Sequence, residues 1–248
     1  MRIGIAGLNG RMGRLVASAV QTSTATLVGG IDRGAGPEGV RLFADIDALA
    51  GACEVVIDFT RADTTLDHAR ALSASRTAWV LGTTGLDPLA QAAVRAASDG
   101  IAIVQAANFS PGVTLLLALA ERAGQVLTGD LWDAEILEMH HRQKLDAPSG
   151  TALALGEAVA RGRGVTLEAA IRDGRTGRRG DGEIGFASLR GGQVVGEHAL
   201  SFTAADEQIT LSHRALDRGV FATGAVRAAL WVHTRAAGLY GMRDVLGL

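Results

Sequence analysis

Arg2-Ile3-Gly4-Ile5-Ala6-Gly7-Leu8-Asn9-Gly10-Arg11-Met12-Gly13 is the stretch whose reading decides the fold. Residues 2–6 form a short apolar run, the signature of a buried strand. Gly7, Gly10 and Gly13 then recur every third residue, and residues 14–20 read as an apolar helix. In a strand–turn–helix unit the first glycine permits the tight turn. The second lets the backbone approach a pyrophosphate, and the third lets helix and sheet pack closely. The spacing alone is a weak signal; its place between a strand and a helix gives it force.

Working outward, residues 26–31 read as a second strand that ends at Asp32-Arg33. In a dinucleotide fold an acid here meets the ribose hydroxyls of NAD, and an arginine pairs with the 2′-phosphate of NADP. Both are present, so either cofactor is accommodated. Apolar strands at 54–60, 78–81 and 101–105 then alternate with helices at 62–74 and 87–98. Such alternation makes a parallel, doubly wound sheet whose ligands lie beyond the carboxyl ends of the strands. Phe59-Thr60, Gly82-Thr83-Thr84-Gly85 and Ala107-Asn108-Phe109-Ser110 all fall at such ends.

Pro111-Gly112 punctuates the chain, and 113–123 reads as a long apolar helix. Residues 131–140 alternate as a strand, with Trp132, Ala134, Ile136, Glu138 and His140 on one face. The last third changes character. Residues 183–190, 193–203 and 207–216 read as strands joined by short turns, an antiparallel meander that with 131–140 would make a four-stranded sheet. Residues 221–236 are helical, with Val226, Ala229, Leu230 and His233 on one face, and would return to cover the first sheet. The expected class is α/β: a Rossmann-type doubly wound parallel-sheet domain (1–110 with 217–248) and a central α+β domain (111–216) with a mostly antiparallel open sheet.

Composition narrows the function. The chain has 248 residues, a formal net charge of −2 and one cysteine, Cys53, which excludes an intrachain disulfide and a thiolate metal cluster. The charge balance lacks the basic footprint of a nucleic-acid binder. Arg172, Arg175, Arg178 and Arg179 are a local exception in a glycine-rich segment that reads as a mobile, solvated loop. No run approaches the ~18 apolar residues of a membrane span, and Gly4, Gly7, Asn9 and Gly10 break what a signal peptide would need as its apolar core. A cytoplasmic setting is expected, with no membrane or nucleic-acid partner.

The chemistry gathers in Glu138-Met139-His140-His141-Arg142-Gln143-Lys144-Leu145-Asp146-Ala147-Pro148-Ser149-Gly150-Thr151, which leads into a helix at 151–161. Histidine can take or deliver a proton near neutral pH. Lys144 can act as an acid or clamp an anion, and the amides of Gly150 and Thr151 open a helix, where an anion is favoured. Together these describe a site for an acidic small molecule that gains or loses a proton. Metal binding by Glu138, His140 and His141 is the weaker reading, because adjacent strand residues diverge and no His-Glu-x-x-His helix pattern is present. No metal is expected. A nucleophile elbow, Gly-x-Ser-x-Gly, is also missing. His68, His198, His213 and His233 read as structural or exposed. A redox sensor that binds NAD(P)H without turnover would need no proton donor, whereas His140 and Lys144 supply two.

These segments resemble the dihydrodipicolinate reductase family of bacterial lysine biosynthesis. The resemblance runs through the glycine loop, Asp58-Phe59-Thr60, Gly82-Thr83-Thr84-Gly85, Ala107-Asn108-Phe109-Ser110 and the whole of the stretch from Glu138 to Ala152. It continues through Arg178-Arg179-Gly180-Asp181-Gly182-Glu183-Ile184-Gly185-Phe186, Val195-Gly196-Glu197-His198 and Arg243-Asp244-Val245-Leu246. The segment after Asp32-Arg33 is shorter than the family pattern. The resemblance implies NADPH- or NADH-dependent reduction of 4-hydroxy-tetrahydrodipicolinate, a cyclic dicarboxylate, in the diaminopimelate route, by a homotetramer assembled through the central-domain sheet. By match, Gly7, Leu8, Asn9, Gly10, Arg11 and Met12 hold the pyrophosphate, and Asp32 and Arg33 meet the adenosine ribose. Gly82, Thr83, Thr84, Ala107, Asn108, Phe109 and Ser110 line the nicotinamide half. His140 and Lys144 are the catalytic pair, and His141, Gly150 and Thr151 bind substrate.

Overall fold

The amino-terminal apolar run is strand β1 (Arg2–Ala6), buried throughout except at Arg2. The structure is a computed structural model that describes residues 1–34, 36–174 and 176–248. It divides into two compact units, Met1–Pro111 with Arg218–Leu248, and Gly112–Asp217.

In unit 1, β1 leads into α1 (Arg11–Gln21), β2 (Thr26–Ile31), α2 (Ile46–Ala50), β3 (Val55–Asp58), α3 (Thr65–Ser75), β4 (Ala78–Leu81), α4 (Pro88–Ser98) and β5 (Ala102–Gln105). Local chemistry sets the helix starts. The Asp87 carboxylate accepts the Ala90 amide at 2.7 Å and Pro88 opens α4, a combination worth about 1 kcal/mol to a helix. β3 is buried from end to end, as expected where helices cover both faces of a parallel sheet.

Unit 2 begins in α5 (Pro111–Val126) and continues through β6 (Asp133–His140), α6 (Gly150–Gly162), α7 (Leu167–Ala170), β7 (Ile171–Asp173), β8 (Ile184–Arg190), β9 (Gly196–Thr203) and β10 (Gln208–Ala215). The alternation read along β6 holds: Ala134, Ile136, Glu138 and His140 are buried, while Asp133, Glu135 and Leu137 face outward. The meander does not hold. The sheet order is β10-β9-β6-β8-β7, so β6 separates β8 from β9. β9 is antiparallel to β10 and to β6, whereas β8 runs parallel to β6 and to β7. The result is a mixed five-stranded sheet rather than a four-stranded meander. A parallel neighbour needs a crossover, and α6 provides it between β6 and β8. Ile136 pairs with Phe186 on one side and Leu200 on the other, which makes the most regularly alternating strand the middle one.

The arginine segment also departs from expectation. Arg179 is tied down by Asp133 Oδ1 at 2.7 Å, by Glu135, and by the carbonyls of Ala134 and Glu183. Arg172 pairs with Glu183 at 3.0 Å. Arg172 sits on the edge strand β7 and Arg179 ties down the start of the central strand β6, so these two do not float in solvent; Arg175 lies outside the described residues.

The chain then returns to unit 1 through α8 (Gly219–Val232), β11 (Gly238–Tyr240) and α9 (Met242–Leu246). α8 buries Ala222, Ala225, Val226, Ala228, Ala229 and Val232. Of the face expected from sequence, Val226 and Ala229 are buried but Leu230 and His233 are exposed, because a run of alanines makes the buried face broader and rotates it. The six-stranded sheet, all parallel, has the order β11-β5-β4-β3-β1-β2. Strand order reverses at β1, so a crevice opens beyond the carboxyl ends of β1 and β3.

Candidate active site

At the carboxyl end of β1, Gly7 takes a φ of 85°, and its amide donates to Ile31 O at 3.0 Å. At Gly13 a Cβ would collide with the Gly7 and Leu8 carbonyls, so only glycine lets α1 start this close to the strand. No side chain caps α1 at Gly10. The first-turn amides of α1 therefore form a ready anion site. Asp32, just past β2, accepts the Asn9 amide at 2.7 Å and the Arg33 amide at 2.6 Å. A groove of about 570 Å³ runs here, lined by Gly7, Asn9, Gly10, Asp32, Arg33 and also Thr60, Arg61, Thr64 and His68. A glycine-floored cradle at a helix start, with an acid and arginines beside it, is what a dinucleotide's phosphates and ribose require.

The other cofactor positions behave differently. Leu8 is wholly buried and Phe109 nearly so; both belong to the core and offer only backbone to a ligand. Met12 packs against the same core and Arg11 is exposed. Thr83 is buried and reaches Asp58 Oδ1 at 3.5 Å. Gly82, Thr83 and Thr84 leave β4, and Ala107, Asn108, Phe109 and Ser110 follow β5, on the same sheet edge as the groove. The Asn108 carboxamide turns back to accept the Ser110 amide at 2.8 Å.

In unit 2 the inner face of β6 presents Glu138 and His140. Glu138 is 1% exposed, yet it is clasped from several sides. Arg190, at the end of β8, bonds both of its oxygens, at 2.7 and 2.8 Å. His140 Nδ1 meets Oε2 at 2.6 Å, and the Ser149 amide donates to Oε1 at 3.1 Å. Burial pushes the Glu138 carboxyl up, but the Arg190 and His140 hydrogen bonds outweigh it and hold the group down to about 2. Glu138 is thus a fixed anion. For His140, burial lowers the imidazole pKa below the ordinary value despite Glu138 beside it. A neutral ring that donates Nδ1–H to Glu138 leaves Nε2 as the proton-accepting atom.

Ser149 joins this cluster to α6. Its hydroxyl caps the Ala152 amide at 3.2 Å and lies 3.2 Å from His198 Nε2. His198, on β9, packs edge-on to His140 with ring centroids 5.1 Å apart. Burial holds its imidazole down to about 4, so it is neutral. Lys144 pairs with Asp146 at 2.8 Å, and that contact lowers the Asp146 carboxyl. Gly150 opens α6 with clear space where a side chain would stand. His141, one residue past β6, has a buried Nδ1 without a hydrogen-bond partner. The structure thus brings His140 and the α6 start together through Glu138 and Ser149. It adds Arg190, which the sequence did not single out, and His198, which read only as structural or exposed. Their strand positions next to β6 depend on sheet order, which no local pattern encodes. Among the described residues, no three His, Cys, Asp or Glu side chains are grouped to hold a metal ion, and no helix is long and apolar enough to cross a membrane.

A dinucleotide cradle on a doubly wound sheet, with a polarised histidine in a second unit, defines an NAD(P)-dependent oxidoreductase. The family described as dihydrodipicolinate reductase matches its amino-terminal part at residues 1–109 and its carboxy-terminal part at 112–246. The 4-hydroxy-tetrahydrodipicolinate reductase of Acidiphilium cryptum is 61% identical over all of this chain and 98% of its own length. That of Gluconacetobacter diazotrophicus is 59% identical with the same coverage. A dipicolinate-bound dihydrodipicolinate reductase from Paenisporosarcina sp. TG-14 shares the fold at a TM-score of 0.82 and 24% identity, over 98% of both chains. This chain belongs to the dihydrodipicolinate reductase family, NAD(P)H-dependent oxidoreductases of the diaminopimelate route to lysine. The activity that membership carries is reduction of 4-hydroxy-tetrahydrodipicolinate.

Proposed function

We propose that His140 and Lys144 manage the protons of this reduction while the α6 start holds a substrate carboxylate. The observation that carries it is the Glu138–His140 contact, which orients the imidazole and leaves Nε2 for a proton. Loss of the substrate's hydroxyl as water gives an acceptor carbon conjugated to the imine. NAD(P)H supplies the hydride to that carbon, and the neighbouring carbon takes a proton. His140 is the proton donor and acceptor. Lys144 is the second donor, released from Asp146 when an anionic substrate competes for it. Gly150 and Thr151 receive a carboxylate at the helix start, and His141 adds a polar contact.

Unit 1 takes the cofactor, with Gly7, Asn9, Gly10, Arg11 and Met12 at the pyrophosphate through their backbone. Asp32 and Arg33 lie at the adenosine ribose, so NADPH and NADH are both accepted. Support for a homotetramer comes from the outer face of the unit 2 sheet, where Leu137 (45% exposed) and Leu189 (47%) stand beside Ala187. A second copy would cover that apolar face. Leu137→Lys shifts the mass in solution toward smaller species; an unchanged mass rejects the interface. The setting is cytoplasmic, where the route's substrates are made.

The deciding experiment generates substrate from pyruvate and aspartate semialdehyde with the preceding synthase and follows oxidation of NADPH and of NADH. General acid–base catalysis is worth about 10²–10⁴-fold, so His140→Ala reduces kcat by about 10³-fold while cofactor binding persists. Turnover near wild type in both His140→Ala and Lys144→Ala would sink the assignment.

A further inference from the structure

One buried charge plays no part in the chemistry above. Asp58, the last residue of β3, is 1% exposed. Its Oδ1 accepts the Thr60 amide at 2.9 Å and the Thr60 hydroxyl at 2.6 Å, with Thr83 Oγ1 at a longer 3.5 Å. Its Oδ2 meets His68 Nδ1 at 2.7 Å and accepts Trp79 Nε1 at 3.3 Å. The donors come from the β3 exit, α3, β4 and the β4 exit. An apolar residue would pack between Ile57 and Phe59 without needing any of these partners, whereas a buried polar side chain must have its hydrogen bonds satisfied. What the carboxylate does is fix segments relative to one another. Those segments lead to the groove: Thr60, Thr64 and His68 all line it, and Thr60 Oγ1 lies 2.9 Å from Thr64 Oγ1.

We propose that Asp58 and His68 are positioning residues for the cofactor, a buried pair that holds Thr60 and Thr83 in place at the sheet edge and thereby sets how tightly unit 1 binds NAD(P)H. The pair lies in the cofactor unit, so this rests on the cofactor assignment made above. Neither residue transfers a proton in the reaction. His68 supplies the Nδ1–H that fills one oxygen of Asp58, which leaves the other for Thr60. Without it Oδ2 keeps only the longer Trp79 contact, and the carboxylate that anchors the Phe59-Thr60 turn through Oδ1 is free to rotate.

The test measures NADPH and NADH dissociation constants by nucleotide fluorescence on the full chain, beside kcat at saturating cofactor and the unfolding temperature. A lost hydrogen bond to a buried charge predicts that His68→Leu weakens both cofactors about tenfold. The substrate KM and the shape of the pH profile stay put. His68→Asn places an amide N–H where Nδ1 stands and restores binding to within about threefold of wild type. Thr60→Val weakens binding in the same direction and serves if His68→Leu does not fold. Wild-type affinity in His68→Leu with only a lower unfolding temperature overturns the proposal, as does loss of kcat at saturating cofactor. If the wild-type chain itself binds neither nucleotide, the cofactor assignment falls instead, and the two failures are told apart.

Discussion

The carboxyl edge of the unit 1 sheet and the end of β6 in unit 2 are built from different materials. The first is backbone: a glycine with positive φ, a helix start without a side-chain cap, and an aspartate that bonds main-chain amides. The second is side chain: a buried carboxylate, a guanidinium and two histidines held by one another. The loop and helix amides of that cradle carry partial charges that do not titrate, so their pull on an anion persists over a wide range of pH. A cluster of ionisable groups can move protons, and for that reason it is exposed to pH and to the loss of any member. The division suits a reductase, in which the cofactor gives up a hydride without any proton transfer from the protein while the substrate gains a proton.

The largest break expected outside His140 is at Arg190. Arg190→Leu leaves Glu138 buried without its main partner, and breaking a buried pair costs about 3–5 kcal/mol, at the low end here because the arginine side chain is 19% exposed. Chemical denaturation should show that loss, with activity falling because His140 is no longer oriented. An unchanged midpoint would mean the clasp is ornamental.

Next comes pH. The folded protein holds the His198 imidazole at about 4, below an ordinary 6.5, so folding favours the neutral ring. That contribution is complete above pH 6.5 and drains away as pH falls toward 4; at ~1.4 kcal/mol per pKa unit it amounts to about 3 kcal/mol. His140 is depressed too and adds in the same direction. Glu138 follows lower down, its contribution lost from 4.5 toward about 2. Urea midpoints should therefore drop between about pH 7 and pH 5, and His198→Gln should flatten the drop. A midpoint as steep in His198→Gln as in wild type would place the sensitivity elsewhere.

The smallest effect sharpens the contrast from the other side. A Cβ at Gly10 would stand 3.1 Å from the Gly7 carbonyl, tight but not prohibitive. Gly10→Ala should weaken NADPH about tenfold, ~1.4 kcal/mol, with no change in how kcat responds to pH. A shifted pH profile would mean that the two regions are less separate in character than their construction implies.

The same division explains what could be read from the sequence. A backbone site leaves a local trace: Gly7, Gly10 and Gly13 could be read from their spacing together with their place between a strand and a helix, and Asp32 from its place at the end of β2. Strands β1 to β5 were legible too, because buried parallel strands are continuous apolar runs, and α1, α3, α4 and α8 followed from the apolar stretches between and after them. In unit 2 the shared face of Glu138 and His140 could be read from the alternation along β6. Arg190 and His198 were not, since each reaches His140 or Glu138 only through the pairing of β8 and β9 with β6. A meander reading put β8 and β9 side by side and so kept them from flanking β6. β11 is three residues long and escaped for want of any period to detect. Leu8 and Phe109 show the converse: they sit in the matched motifs, but their side chains serve the core.

The return of the chain to unit 1 has a consequence for how the protein is made. The core beneath the glycine loop includes Ala222, Ala225, Val226, Ala229, Val232, Met242 and Val245. None of these residues leaves the ribosome until all of unit 2 has been synthesised. Residues 1–111 therefore emerge with that side of their sheet covered by α1 but not yet by α8, while unit 2 is continuous in sequence. The cofactor domain is thus completed only after unit 2 has been made, and its core is closed by residues that lie more than a hundred positions from the strands they cover.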